Sequence, residues 1–439
     1  MASKRQFGKS SPFSGVRGFV SEIQNLVFEK FTDKKWAQKT TSALNGEAME
    51  VVRSKATLKN RRKFGAFFTG TKLGKRLANL SIKNAGDGVC HDPACGMGDL
   101  LLARARNFPL GKTLEQTLKE WGEKISGTDL HAEFVEGARL RLLLLARTRH
   151  GANNANSISA KEYFPYLQVC DGLVKLSFFR RANTIMMNPP FGFVKAPKDC
   201  SWGRGRVSQA ALFLAKALEA ATPGTEILAI LPEVLRSGAF SEQWRAYVSD
   251  LAKVSKIRPC GIFDKHADVD VFFLRLIKRH PLDNSRVQRW PSQIGSFKVI
   301  SDYFNIRVGR VVPHRDPISG PRRSYIHAKC VPVWKTMISF TETRKHAGAA
   351  FDPPFVVVRR TSRPSHSYRA TATIISGDGP VFVENHLIVC EPKAGGLAAC
   401  RRLMRHLKSE KVNKYLNRRI RCRHLTVGAI GTIPYQDKI

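Results

Sequence analysis

From Gly88 to His280 the chain repeats one pattern: a short apolar run, a segment of helix length, then another short apolar run. The runs fall at Gly88–His91, Lys124–Thr128, Leu167–Cys170, Thr184–Met187, Glu226–Leu231, Ile257–Phe263 and Val269–Ile277. Between them, Asp99–Arg106, Ala132–Arg149, Ser208–Ala221 and Ser241–Ala252 carry apolar residues at helical spacing. Alternation of strands and helices at these lengths predicts a mostly parallel sheet covered by helices on both faces. In such a sheet, ligands collect at the carboxyl ends of the strands. Val269–Ile277 follows its predecessor so soon that an antiparallel hairpin at the sheet edge is expected.

The flanks read differently. Residues 1 to about 18 are rich in Ser, Gly, Lys and Arg and are expected to be disordered, with helical patterns following at Val20–Phe31 and Gly46–Leu58. Beyond about residue 290 the alternation stops. Prolines at 313, 317, 321, 353, 354 and 364, a β-branched run at Phe355–Val358 and a late helix near Leu397–Asn417 predict a second domain of mixed α+β structure. The expected division is a basic N-terminal extension over 1–60, an α/β domain over 61–285 and the mixed domain over 286–439.

Charge narrows the function. Lys and Arg number 73 against 35 Asp and Glu, a formal net charge of +38. The excess runs along most of the chain, which suits a polyphosphate backbone and disfavours selective binding of small anionic metabolites. The nine cysteines include no C-x-x-C pair, so no zinc site is expected, and they are too dispersed for a disulfide scaffold. Reduced thiols and a cytoplasmic location are the expectation. Met1 to Ser14 has no apolar core of a secretion signal, and the longest apolar run, around Leu142 to Ala146, is far short of a membrane span.

Three stretches end strands of the α/β region. In Asp92-Pro93-Ala94-Cys95-Gly96-Met97-Gly98-Asp99, a glycine turn leads into a helix, letting backbone approach a ligand beside free helix N-terminal amides. It lacks the Lys-Ser/Thr of a triphosphate loop. In Gly127-Thr128-Asp129-Leu130, Asp129 stands where such sheets hold ribose hydroxyls, although it could equally cap the helix from Ala132. Asp171-Gly172 offers a further carboxylate or a simple turn. In Met187-Asn188-Pro189-Pro190-Phe191-Gly192, a rigid loop offers the Asn188 amide carbonyl, the Pro189 backbone carbonyl and the Phe191 ring.

These stretches, in this order and spacing, resemble the DNA N6-adenine methyltransferases of restriction–modification systems. Lys63-Phe64-Gly65-Ala66-Phe67-Phe68-Thr69-Gly70 resembles that family's cofactor-covering segment, with Gly70 where the family has Pro. Tyr415-Leu416-Asn417, Arg423-His424-Leu425-Thr426-Val427-Gly428 and Ile433-Pro434 resemble the end of its target-recognition domains. The resemblance implies a Rossmann-like S-adenosylmethionine-dependent catalytic domain followed by a recognition domain. It also implies that S-adenosyl-L-methionine binds at Phe68, Thr69, Asp92, Ala94, Cys95, Gly96, Gly98, Asp129, Leu130, Asp171 and Gly172. Asn188, Pro189, Pro190 and Phe191 would act on an adenine flipped out of double-stranded DNA. No metal is implied. A separately encoded restriction nuclease is compatible with this reading. RNA adenine-N6 methylation, or a non-catalytic nucleic-acid-binding subunit of the same fold, stays open at this point.

Two basic stretches complete the candidates. Lys195, Lys198, Trp202, Arg204 and Arg206 suggest a mobile basic loop with an aromatic for gripping a strand. Arg359, Arg360, Arg363 and Arg369 suggest base or phosphate contact in the second domain, or a solvated face.

Overall fold

A computed structural model describes residues 12–28, 34–151, 159–263, 269–281, 283 and 298–436. The described residues divide into two compact units. The first comprises those of Met1–Pro232, Gln243–Cys260 and Val271–Trp290; the second comprises those of Glu233–Glu242, Gly261–Asp270 and Pro291–Ile439.

Unit 1 holds β1 (Cys90–Asp92), β2 (Ile125–Asp129), β3 (Leu167–Val169), β4 (Thr184–Met187), β5 (Phe193–Lys195), β6 (Arg206–Ser208), β7 (Glu226–Pro232), most of β8 (Ala252–Ile262) and most of β9 (Asp270–Lys278). Its main sheet has the order β3-β2-β1-β4-β7-β9-β8. The first five run parallel and β9 is antiparallel to β7. The antiparallel sense of β9 and the hairpin at the sheet edge agree with the sequence reading, with β9 as the inner strand and β8 at the edge itself. The reason lies in the residues. Val271, Phe272, Phe273, Leu274 and Leu276 are wholly buried, as an inner strand covered on both faces must be. Lys253, Ser255, Lys256 and Arg258 give β8 the polar character of an edge.

Helices Asp99–Ala105, Ala132–His150, Gln209–Ala220 and Glu242–Leu251 stand where periodicity places them. Leu114–Lys124 is an additional helix, started by the Thr113 side chain accepting from the Gln116 N–H. Before the sheet come helices Arg17–Phe28, Lys34–Leu44 and Glu47–Lys55. The first lies along Ala132–His150, where Arg147 donates to the Leu26 carbonyl at 3.0 Å. Disorder expected to about residue 18 is corrected for 12–18, since Phe13 and Val16 are fully buried; residues 1–11 lie outside the described residues.

Unit 2 contains a five-stranded sheet of Phe304–Val308, Leu387–Pro392, Phe355–Arg359, Ala372–Ile375 and Thr336–Met337, in that order across it. The run Phe355–Val358 is its middle strand, and alternate residues serve two cores. Val356 and Val358 join Ile388, Cys390, Leu403 and Leu416 on the helical side. Phe355 and Val357 join Leu387, Val389, Val381 and Val383 toward a three-stranded sheet. The expected late helix is two helices, Gly396–Leu407 and Glu410–Arg419. Ser409 breaks them, its hydroxyl accepting from the Val412 N–H as an N-cap. Segment Glu233–Glu242 is held in this unit by the Arg421 N–H on Glu233 Oε1 (3.3 Å).

Candidate active site

The glycine turn after β1 is built as a cradle. Asp92 is buried and accepts from the Ala94 N–H through Oδ1 at 3.0 Å. Burial raises its pKa from 3.8 to about 8, reinforced by the negative fields of Asp129 and Asp99. Asp129 uses both oxygens on backbone: Oδ2 accepts from Gly96 N (3.0 Å) and Oδ1 from His131 N (3.0 Å). Asp129 thus ties the glycine turn to the end of β2, while the N-cap of the helix from Ala132 is His131, without a side-chain cap bond. Burial also raises the Asp129 pKa. Gly96 is required here, with φ +50 and a Cβ position only 2.8 Å from Phe68 Cε1. Phe68 covers the turn and packs edge-on to Phe134, with ring centroids 5.1 Å apart. Ala94 is half-buried; Cys95, Gly98 and Gly172 are buried; Leu130 and Asp171 are exposed. Asp171 Oδ1 accepts from Leu173 N at 2.9 Å, so it shapes its own turn and keeps a carboxylate at the surface.

Asn188, directly after β4, is gripped by the segment that precedes β1. Its Nδ2 donates to the Phe67 carbonyl at 3.1 Å and to Thr69 Oγ1 at 3.0 Å. A backbone carbonyl can only accept, so the amide orientation is fixed with nitrogen toward Phe67. Oδ1 is then left buried with no hydrogen-bond partner among the described residues. Gly65, at φ +67, brings the gripping segment against the prolines, where a Cβ would stand 2.4 Å from Pro190 Cβ. Pro189 is buried, and Pro190 and Phe191 are half-buried.

Two residues given no role in the sequence reading hold these parts together. Asp99 Oδ2 accepts from Gly70 N at 2.8 Å, joining the covering segment to the glycine turn. Arg141, fully buried, pairs with Asp99 Oδ1 at 2.9 Å and also donates to the Met97 and Ala43 carbonyls. An arginine on a Leu-rich buried helix was the available signal.

Several nucleic-acid candidates change character. Lys195 and Arg206 end the two paired strands of the β5–β6 hairpin, and the expected basic loop is the connection between them. Trp202 is buried, 8% exposed, and offers no surface ring. Lys195, Lys198, Arg204 and Arg206 are exposed. Arg369 is wholly buried and committed, donating to Ser362 Oγ (2.9 Å), Asn417 Oδ1 (2.8 Å) and the carbonyls of Ile420 (2.9 Å) and Cys422 (2.7 Å). It cannot reach a base without dismantling that network. Arg359 and Arg360 are half-buried on the Val331 and Asn385 carbonyls, leaving Arg363 as the exposed arginine of the four. Asn417, from the stretch resembling a recognition-domain ending, also donates to the Pro364 carbonyl, while Tyr415 donates to that of Thr432.

Against known proteins, residues 41–265, just over half of the chain, match the N-6 DNA Methylase family. The chain belongs to the N-6 DNA methylase family. No curated protein matches it by sequence. Among solved structures, the type IIL restriction-modification enzyme MmeI in complex with DNA is similar over 88% of this chain and 70% of that one, at 12% identity and a TM-score of 0.52. The type IIG restriction endonuclease BpuSI matches over 90% of this chain and 61% of that one, at 15% identity and a TM-score of 0.41. The EcoKI M protein of a type I restriction enzyme matches over 61% and 55%, at 17% identity and a TM-score of 0.35. At such identities the MmeI likeness is one of fold. It agrees with the Rossmann-like sheet and C-terminal α+β unit of this N-6 DNA methylase. No helix among its described residues is long and apolar enough to cross a membrane.

Proposed function

We propose that this N-6 DNA methylase transfers a methyl group from S-adenosyl-L-methionine to the exocyclic N6 of an adenine flipped out of double-stranded DNA. The observation that carries the reading is Asn188 Oδ1, a buried acceptor left open by an amide whose two hydrogens are already taken. The amino lone pair of adenine is conjugated into the ring and is a poor nucleophile. Oδ1 of Asn188 and the carbonyl of Pro189 would accept the two N–H groups and draw the nitrogen toward tetrahedral geometry. That localises the lone pair for in-line attack, and the reacting nitrogen gains the methyl and gives up one proton. Phe191 would stack on the extruded base.

The cradle fits the cofactor. S-adenosyl-L-methionine supplies a methyl on a positively charged sulfur, next to a cationic ammonium. Asp92, strained toward its neutral form by burial, is suited to a cationic ligand. Asp129 keeps spare lone pairs for ribose hydroxyls after serving Gly96 and His131. Phe68 and Thr69 form the cover, with Ala94, Cys95, Gly98, Leu130, Asp171 and Gly172 around it. The +38 charge and exposed Arg363 suit a DNA partner.

Long-read sequencing of DNA from cells producing the protein, beside cells producing Asn188→Ala, tests this. N6-methyladenine at one recurring motif, absent with the variant, is the expected result. Unmodified DNA in both, together with methyl transfer from labelled cofactor to total RNA, would overturn it.

A further inference from the structure

The β5–β6 hairpin begins two residues after Phe191 and has a surface that the active site does not use. Residues two apart on a strand share a face, as do directly paired residues on neighbouring strands. Phe193 and Lys195 therefore share a face with Arg206, the register partner of Lys195. The opposite face carries Val194 and buried Val207. Phe193 is 55% exposed, an aromatic ring left in water beside the catalytic loop. Arg206 Nη2 donates to the Phe193 carbonyl at 3.0 Å, which holds its guanidinium next to that ring's backbone.

Like charges placed directly across a strand pair repel each other. Nothing in the hairpin offsets them: Lys198 and Arg204 add two more exposed cations. The one acid of the segment, Asp199, is paired away with Lys216 at 3.2 Å. An aromatic platform beside two cations that have no ion-pair partner among the described residues matches one nucleotide, a base and its phosphate.

We infer that this hairpin face binds a DNA nucleotide neighbouring the target, its base stacked on Phe193 and its phosphate held by Lys195 and Arg206. The inference rests on the proposed DNA substrate and replaces buried Trp202 by Phe193 as the stacking ring.

The test uses the full chain and a fluorescein-labelled, mixed-sequence single-stranded 20-mer, with affinity read by fluorescence anisotropy across salt. Loss of one base–aromatic stack in Phe193→Ala weakens binding about 5- to 150-fold with the salt slope unchanged, while Phe193→Tyr restores it. Lys195→Gln with Arg206→Gln lowers the log–log salt slope by about 0.7, the share of one single-strand phosphate. All variants keep calorimetric affinity for S-adenosyl-L-methionine, because the hairpin face lies outside the cradle. Phe193→Ala binding within twofold of the parent, with an unchanged slope in the double variant, overturns the inference. Should the parent methylate no DNA yet lose oligonucleotide affinity through Phe193, the hairpin assignment stands and the proposed reaction falls. A parent that methylates DNA, with hairpin variants binding and methylating equally well, removes the hairpin assignment alone.

Discussion

Asp92 is enclosed at the end of β1, and Asn in its place removes the charge while keeping an acceptor for the Ala94 N–H. Its folded-state pKa of about 8 lies above the ordinary 3.8. Between those values the folded protein retains a proton that the unfolded chain releases. Stability therefore falls as pH rises through that window, by about 1.4 kcal/mol per unit, and is fully lost from this group above pH 8. The accumulated cost is roughly 2 kcal/mol at pH 5 and on the order of 4 kcal/mol at pH 7. Asn188 and the sheet are untouched by the substitution, so Asp92→Asn should be more stable than the parent by a margin that grows with pH.

Urea unfolding of both ligand-free proteins from pH 5 to pH 8 reads that margin. Calorimetry with S-adenosyl-L-methionine reads the opposite effect. A cationic ligand binds the ionised carboxylate, so parent affinity should rise with pH up to about 8 as the proton becomes easier to remove. The variant should bind about 100-fold more weakly, with no such rise. A margin that stays constant with pH, or a parent more stable than the variant at pH 7, would refute the argument that burial without a cation strains this group.

Other expectations follow from single contacts. Gly65→Ala puts a Cβ 2.4 Å from Pro190 Cβ at a positive φ, displacing the segment that holds Asn188. Single-turnover methyl transfer should fall at least about 100-fold, and a rate within threefold of the parent would count against that grip. Arg369→Ala leaves four acceptors without their donor and should destabilise unit 2 by at least about 3 kcal/mol in urea unfolding. By contrast, Arg363→Ala should leave stability within about 0.5 kcal/mol while weakening DNA binding and flattening its salt dependence.

What could be read from the sequence is what local chemistry determines. β4 and β7 are short apolar runs because both faces are covered, and that property is written residue by residue; β1 and β2 are as buried but carry polar side chains. The turn at Gly96 and the rigid Asn188-Pro189-Pro190 loop are similarly local: backbone freedom at one, rigidity at the other. Ser409 and Thr113 were equally local signals, hydroxyls three residues before the backbone N–H groups they accept from, and both were readable as helix starts.

The misreadings share a cause. Arg369 looked like its three neighbouring arginines because its partners, Asn417, Ile420 and Cys422, lie 48 to 53 residues away. Trp202 sits among Gly, Lys and Arg, a composition of loops, while Phe-Val-Lys and Arg-Val-Ser are too short for alternation to announce a hairpin. Charge alone did not distinguish a contact from a tether. Burial does: of the basic side chains proposed for DNA, those on the β5–β6 face and Arg363 remain in water, whereas Arg369 is committed to the interior. The same reasoning gives Asn188 its meaning. Its proposed role rests less on the Asn-Pro-Pro-Phe motif than on Phe67 and Thr69, about 120 residues earlier, which occupy both amide hydrogens and leave the carbonyl oxygen without a partner among the described residues.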